Sequence, residues 1–175
     1  MRKLNVIELN RLSVEQFKQT EKNHLVIVLD NIRSMYNVGS VFRTADAFKI
    51  EKIILCGITA QPPMVEIHKT ALGAEDSVEW EYIKDTLEAV EQLKNKGYET
   101  LAVEQVEQSI KLQEWNVNPQ KKYALILGNE VMGVRQDVVD ICDNTLEIPQ
   151  FGTKHSLNVS CTASIVMWEY LKQIL

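Results

Sequence analysis

Cysteine, proline and glycine are scarce in this 175-residue chain, which has three cysteines, four prolines and seven glycines. Cys56, Cys142 and Cys161 are odd in number and far apart, which excludes a disulfide framework and a CxxC metal knuckle. We expect them to be buried and reduced. The longest apolar runs, 25–29 and 124–127, are far shorter than the ~20 residues that cross a bilayer. The first residues also lack the apolar segment of a secretory signal, so we expect a cytoplasmic protein without membrane contact.

Basic residues are outnumbered, with 19 Lys and Arg against 24 Asp and Glu, a formal net charge of −5. This balance argues at first against a nucleic-acid partner, which usually leaves a basic footprint. The excess is regional, however, because residues 66–107 contain eleven acidic residues and four lysines. A solvated helix face explains such a run, so the charge does not exclude a nucleic-acid partner.

No internal repeat and no Pro/Gly/Ser linker divides the sequence. The 45% hydrophobic and 25% charged content is typical of one globular domain. We expect this domain to cover residues 24–175, after an N-terminal extension over residues 1–23. Within the extension, Ser13 and Gln16 form a capping-box pattern that predicts a short helix from about 14 to 22.

Buried strands alternate with amphipathic helices along the rest of the chain. Continuous apolar runs predict strands at 25–29, 52–56, 80–83, 100–103, 123–127 and 145–148. Helical spacing predicts helices at 37–48, 86–96, 135–141 and 158–175, and residues 57–80 are interpreted mainly as a long connection. The alternation predicts an α/β fold with a mostly parallel sheet and helices on both faces. Ligands of such sheets bind at the carboxyl ends of the strands, so the loops after strands are the informative ones.

The first informative loop contains the pattern N-x-G-x-x-x-R-T at residues 37–44. The apolar stripe of the helix that starts near Asn37 places Arg43 on the opposite side, toward solvent or a partner. A solvated arginine paired with Asp46 is the plainer interpretation of the same pattern.

The second loop, L-G-N-E-x-x-G at residues 127–133, directly follows a strand. Gly128 would permit close approach of a ligand, and Asn129 and Glu130 would form a polar rim. A simple strand-to-helix turn, with Gly133 at positive φ, is the alternative. Neither a GxGxxG fingerprint nor a Walker A sequence occurs, which disfavours a dinucleotide or nucleoside triphosphate site.

The third loop, I-P-x-x-G-x-x-x-S-L-N-V-S at residues 148–160, joins the last strand to the last helix. Ser156 or Asn158 is suited to cap that helix. The same loop offers backbone and hydroxyl groups to a ligand, whereas His155 is interpreted as a polar loop residue.

Together, the three motifs resemble those of the SpoU family of RNA 2′-O-methyltransferases in the SPOUT superfamily, over about residues 25–170. The sequences 103–105, 148–150 and 168–170 make the chain look most similar to the TrmH-type branch that modifies tRNA guanosine 18. The resemblance implies a homodimer, a C-terminal trefoil knot, S-adenosylmethionine as cofactor, RNA as partner and no metal. By resemblance, the cofactor contacts are Val103, Glu104, Gly128, Ile148, Ser156 and Leu157.

By the same resemblance, Arg43 is the catalytic arginine, with Asn37, Glu130, Ser156 and Asn158 orienting it and the ribose phosphate. The family's arginine has been proposed as a general base. Because arginine stays protonated, a fixed cation beside the developing alkoxide is the alternative role.

Other functions remain open from the sequence. The same chemistry on ribosomal RNA or at another tRNA position is one alternative. A knotted protein that binds RNA or cofactor without catalysis is another, although the presence of Asn37, Arg43, Glu130 and Asn158 together speaks against it.

Overall fold

A computed structural model describes residues 1–5 and 7–175. Within this part of the chain, seven strands form one sheet and are joined by α-helices. The strands are β1 (Asn23–Asp30), β2 (Ile50–Cys56), β3 (Trp80–Ile83), β4 (Tyr98–Val103), β5 (Ile110–Lys111), β6 (Lys122–Leu127) and β7 (Asn144–Glu147). The helices are α1 (Val14–Gln19), α2 (Met35–Ala47), α3 (Val65–Ala71), α4 (Ala74–Ser77), α5 (Thr86–Asn95), α6 (Gln136–Ile141) and α7 (Val159–Ile174).

The sheet has the order β3-β2-β1-β6-β4-β7-β5, and all of its strand pairings are parallel. Side chains of β1 alternate between two cores, since Leu25, Ile27 and Leu29 pack beside α2 and α7 whereas Val26 and Val28 pack beside α5. This alternation follows from the two-residue period of a strand. The α/β fold with helices on both faces is confirmed, and the knot stays a prediction.

The parallel arrangement determines where a site can form. Strands β1, β6, β4 and β7 lie next to one another, so their carboxyl ends meet at one edge of the sheet. The loops that follow these four strands include the three motif loops. Strand order therefore brings together segments that are more than 100 residues apart in the sequence.

The N-terminal extension packs on the rest of the chain through α1. Its capping box is confirmed, because the Ser13 hydroxyl accepts from the Gln16 N–H while the Gln16 side chain accepts from the Ser13 N–H. Phe17 is buried in the core beside α2. The helix ends at Gln19 rather than near residue 22, since Thr20 is extended and its hydroxyl donates to the Phe17 carbonyl. The boundary between residues 23 and 24 stays a prediction.

Three other expectations differ from the structure. The connection at 57–80 contains α3 and α4, and the short strand β5 was not expected. Cys56 is buried and Cys142 half-buried, but Cys161 is exposed on α7. Its position on that helix, four residues before the exposed Ile165, places it on the outer face.

None of the described helices is long and apolar enough to cross a membrane.

Candidate active site

A cavity of about 580 Å³ lies at the carboxyl edge of the sheet, between the loops that follow β4, β6 and β7. Its volume is within the range of ordinary small-molecule sites. The six cofactor residues predicted from the sequence all line it: Val103, Glu104, Gly128, Ile148, Ser156 and Leu157. Glu130 and Asn158 line it as well, so the structure brings eight predicted residues around one cavity.

A chain of side-chain hydrogen bonds joins the three motif loops at this cavity. Asn158 Nδ2 donates to Asn37 Oδ1 at 3.2 Å, and Asn37 Nδ2 donates to Glu130 Oε1 at 3.1 Å. Asn158 Oδ1 also caps α7 by accepting from the Ser160 N–H at 2.8 Å. The predicted orienting residues Asn37, Glu130 and Asn158 therefore form one connected group.

Glu130 is held from the other side by the loop after β1. Its carboxylate accepts from the backbone N–H groups of Arg33, at 2.9 Å, and Ser34, at 3.0 Å. Burial alone would raise the pKa of Glu130, but the hydrogen bonds from these N–H groups and from Asn37 outweigh it and lower the pKa. The carboxylate is consequently ionised at neutral pH and fixes the start of α2 against the loop after β6.

Asn129 locks the same loop from within. Its Nδ2 donates to the Asn31 carbonyl at 2.7 Å, and its Oδ1 accepts from the N–H groups of Val131 and Met132. Backbone hydrogen bonds in both directions join Asn129 to Gly133. The sequence indicates only a polar rim at Asn129, whereas in the structure its side chain organises the turn that presents Glu130.

Gly128 lines the cavity, but its small size is needed by the loop itself. A Cβ at this position would lie 2.1 Å from the Gly133 carbonyl carbon and from the Val134 nitrogen. The closest neighbours of such a Cβ are the returning backbone atoms of the same turn, and the expectation that Gly128 permits close approach of a ligand stays a prediction. Gly133 has the expected positive φ, 69°.

Glu104 and Gln105 attach the end of β4 to the other two loops. Glu104 Oε2 accepts from the Val134 N–H at 3.0 Å, and Gln105 Nε2 donates to the His155 carbonyl at 2.8 Å. In the sequence, Gln105 contributes only to the family resemblance, because a long polar side chain after a strand gives no signal of this contact. Ser156 is exposed beside it, and within the described residues its hydroxyl has no hydrogen-bond partner.

Arg43 does not join the cavity. It is exposed on α2, as predicted, but lies six residues after Asn37, which corresponds to about 9 Å along the helix and a rotation of about 120°. Asp46 accepts a hydrogen bond from the Ser77 hydroxyl at 2.6 Å, and the described residues offer Arg43 no ion pair. The plainer interpretation, a pair between Arg43 and Asp46, is wrong.

The cavity is acidic. Glu104, Glu130 and Glu147 line it, and the described lining residues include neither lysine nor arginine. The Glu147 carboxylate is paired with the Lys111 ammonium, which lowers its pKa. Such a lining favours a ligand with positive charge and disfavours a polyphosphate. Across residues 1–5 and 7–175, no group of three or more His, Cys, Asp or Glu side chains is placed to bind a metal.

Comparison with known proteins identifies the family to which the chain belongs. Residues 24–168 match the SpoU rRNA methylase family. The tRNA (guanosine(18)-2′-O)-methyltransferase of Aquifex aeolicus is 27% identical over 171 residues, which cover 96% of this chain and 78% of that protein.

Solved structures show the same fold. The A. aeolicus TrmH/SpoU tRNA modifying enzyme superposes with a TM-score of 0.79 at 25% identity, covering 91% of this chain and 79% of that one. The AdoMet-bound rRNA methyltransferase of Sinorhizobium meliloti gives 0.81 at 24% identity, covering 89% of this chain and 58% of that one. The resemblance inferred from the three motifs is confirmed. The chain belongs to the SpoU rRNA methylase family, a family of RNA methyltransferases.

Proposed function

We propose that this protein transfers a methyl group from S-adenosylmethionine to a ribose 2′-hydroxyl of RNA, with tRNA guanosine 18 as the target. One observation carries the proposal. Two of the motif loops line a single acidic cavity, and Asn37 of the remaining motif is hydrogen-bonded to Glu130 and Asn158 in that lining.

The cavity residues fit the cofactor. S-Adenosylmethionine carries a sulfonium and an ammonium group, which match a lining that has the carboxylates of Glu104 and Glu130 and no described lysine or arginine. Val103, Ile148 and Leu157 offer apolar surface to the adenine and the thioether carbons, and exposed backbone groups of loop 148–158 offer polar contacts. The bound cofactor supplies an electrophilic methyl group, so the protein has to provide alignment and charge.

The 2′-hydroxyl needs stabilisation as it loses its proton. The Arg43 guanidinium is always protonated, so we assign it the role of a fixed cation next to the developing alkoxide. A single donor of this kind typically contributes about 10²–10³ in rate. The absence of an ion pair to Arg43 in the described residues leaves its full charge available for RNA.

Arg43 lies outside the cavity of its own protomer, and we propose that a homodimer closes this gap. The outer face of α7 next to α2 carries Ile165, 39% exposed, and Trp168, 49% exposed. Cys161 extends the same apolar stripe at helical spacing. A second copy packed on this stripe, related by a two-fold axis, would present the Arg43 of one protomer to the cavity of the other.

Two substrate classes, tRNA and ribosomal RNA, are each supported by a comparison. The match to the Aquifex tRNA methyltransferase extends over nearly the whole chain, which supports tRNA. The similarity of fold to the Sinorhizobium rRNA methyltransferase keeps ribosomal RNA as the second candidate. A cytoplasmic location is part of the proposal.

Mapping of 2′-O-methyl sites in tRNA and rRNA, from cells with and without the gene, tests the function. We expect one site in tRNA to disappear with the gene and to return when purified protein and S-adenosylmethionine are added. A site lost from rRNA alone would favour the second candidate. Unchanged maps, with the cofactor bound normally, would support a binding protein without catalysis.

A further inference from the structure

Tyr36 is a half-exposed aromatic residue next to Asn37, one of the hydrogen-bonded residues of the candidate site. It is the second residue of α2 and directly precedes Asn37, and 49% of its surface is accessible. Its hydroxyl makes no hydrogen bond to the described residues. A single exposed aromatic is common on protein surfaces, so its meaning depends on how it is held and what surrounds it.

The backbone of Tyr36 is fixed. Its carbonyl oxygen accepts from two hydroxyls, those of Ser40 and Thr70, each at 2.9 Å. Gly39 lets α3 approach closely, since a Cβ there would lie 2.2 Å from the Ile67 carbonyl oxygen. The first turn of α2 is therefore locked to α3, and the ring is presented from a rigid support. A rigid contact residue loses little entropy when a ligand binds.

Tyr36 also shares a helix face with Arg43. Seven residues at 100° each return to within about 20° of the same direction, and they separate the two residues by about 10 Å along the axis. The aromatic ring and the guanidinium are therefore displayed on one side of α2. Asn37, between them in the sequence, points instead to Glu130 and Asn158.

Two arginines without ion pairs in the described residues, Arg33 and Arg43, precede and follow Tyr36 along the chain. Arg33 is exposed, and its backbone N–H is bound by Glu130, which fixes its main chain, while its side chain has no carboxylate partner in the described part of the protein. Arg43 is likewise exposed and unpaired there. By contrast, Arg2 and Arg135 are committed to carboxylates. Aromatic rings beside such cations are the pattern by which proteins hold single-stranded RNA, with bases on the rings and phosphates on the cations.

We propose that Tyr36 stacks on an RNA base at, or directly next to, the nucleotide whose ribose is methylated. The inference rests on the proposed function and assigns a substrate-binding residue to it. Stacking is tolerant of base identity, so Tyr36 holds the nucleotide in place and does not select guanosine.

The test combines protein variants with RNA that lacks a base. Tyr36→Ala and Tyr36→Phe are compared with Tyr82→Ala, which removes a partly exposed tyrosine on the outer strand β3. Each is assayed on the mapped RNA substrate and on versions with an abasic site at the target, its 5′ neighbour or its 3′ neighbour. Affinity for S-adenosylmethionine and the unfolding midpoint are measured for each variant.

We expect Tyr36→Ala to lose about tenfold or more in kcat/KM through a higher KM for RNA. Tyr36→Phe keeps the ring and should recover most of the activity that Tyr36→Ala loses, whereas the control Tyr82→Ala should behave like the unaltered chain. Cofactor affinity should be unchanged in all three variants. At one of the three positions, the abasic site should lower the methyl-transfer rate of the unaltered chain. Tyr36→Ala should methylate that abasic RNA as well as it methylates the complete RNA, because it has no ring for the missing base to stack on.

The proposal would be overturned if Tyr36→Ala and the abasic site lowered activity independently at all three positions, so that their two effects multiplied. An equal loss of activity in Tyr36→Phe and Tyr36→Ala would also overturn it. If the unaltered chain methylates no RNA, the proposed function fails. The stacking is then decided by RNA binding, measured by fluorescence anisotropy with the same variants and abasic sites.

Discussion

Asn158 Nδ2 donates a hydrogen bond to Asn37 Oδ1 across 3.2 Å and joins two residues that are 121 positions apart. Asn37 lies in the first turn of α2, and Asn158 caps α7 through its other side-chain atom. One amide group thus links the cap of the last helix to the residues that orient the proposed active site. Stability and activity can be separated at this position, because the cap needs Oδ1 and the link needs Nδ2.

The substitution Asn158→Asp separates the effect on stability from the effect on activity. Aspartate caps a helix about as well as asparagine but has no donor for Asn37, so we expect near-native stability and reduced kcat. Asn158→Ala should lose both, with a stability cost of about 0.5–2 kcal/mol. Urea unfolding and methyl transfer are measured on the same preparations. Full activity in Asn158→Asp would contradict a role for the link.

Gly128 is predicted to be much less tolerant of a methyl group than Gly152. The Cβ of Gly128→Ala would meet backbone atoms at 2.1 Å, whereas nothing lies within 4 Å of a Cβ at Gly152. Overpacking typically costs about 1–3 kcal/mol, and a clash with backbone belongs at the upper end. We expect Gly128→Ala to lower the urea midpoint and weaken cofactor binding, and Gly152→Ala to change neither. Equal midpoints would show that the turn at 127–133 opens without cost.

Glu130 gives a pH dependence of stability with a definite sign. Its folded-state pKa lies below the ordinary value of 4.5, so the unfolded chain binds the proton more tightly. The stabilisation is therefore present above about pH 4.5 and is lost as the pH falls through the folded-state pKa. Glu130→Gln lacks this contribution. We expect the difference in unfolding free energy between the two proteins to shrink between pH 6 and pH 3, roughly the range in which carboxylates titrate. Parallel curves would contradict the hydrogen bonds to Arg33 and Ser34.

The elements that the sequence predicts correctly are those with a recognisable pattern in their own residues. The capping box at Ser13 fixed the start of α1, and the apolar stripe of α2 placed Arg43 on the outer side. The motif loops were located because strand order in a parallel sheet brings them to one edge. The sequence gives only a weak signal for α3 and α4, because both are short and the left-handed residue that directly follows α3 is Leu72, with φ of 54°, rather than a glycine.

Contacts between loops that are far apart in the sequence could not be predicted from it. Nothing in the residues around Gln105 indicates that its amide binds the His155 carbonyl. Cys161 was expected to be buried from its residue type, but its position on α7 places it on the outer stripe. The sequence also does not show that the turn at 127–133 folds back on Gly128.

Arg43 is predicted to act on the cavity of a partner copy. Arg43→Ala should retain cofactor binding and lose about 10²–10³ in kcat. Arg43→Lys should also be impaired, because an ammonium group does not reproduce the planar contacts of a guanidinium. Isothermal titration with S-adenosylmethionine and a methyl-transfer assay measure the two effects. Loss of cofactor binding would place Arg43 in the scaffold.

Mixed dimers test whether the action is between protomers. Ser156→Arg is designed to fill the cavity from an exposed loop, so it should abolish cofactor binding without unfolding the chain. Random mixing with Arg43→Ala would give half of the dimers one complete site, and about a quarter of native activity. Activity no higher than that of either variant alone would contradict action across the dimer.

The most direct test of the account uses RNA in which only the mapped nucleotide carries 2′-deoxyribose. Transfer of radiolabelled methyl from S-adenosylmethionine is measured on this RNA and on the matched ribose substrate. The account predicts that the single missing oxygen abolishes transfer while RNA binding persists. Continued methylation of that nucleotide would contradict ribose 2′-O-methylation.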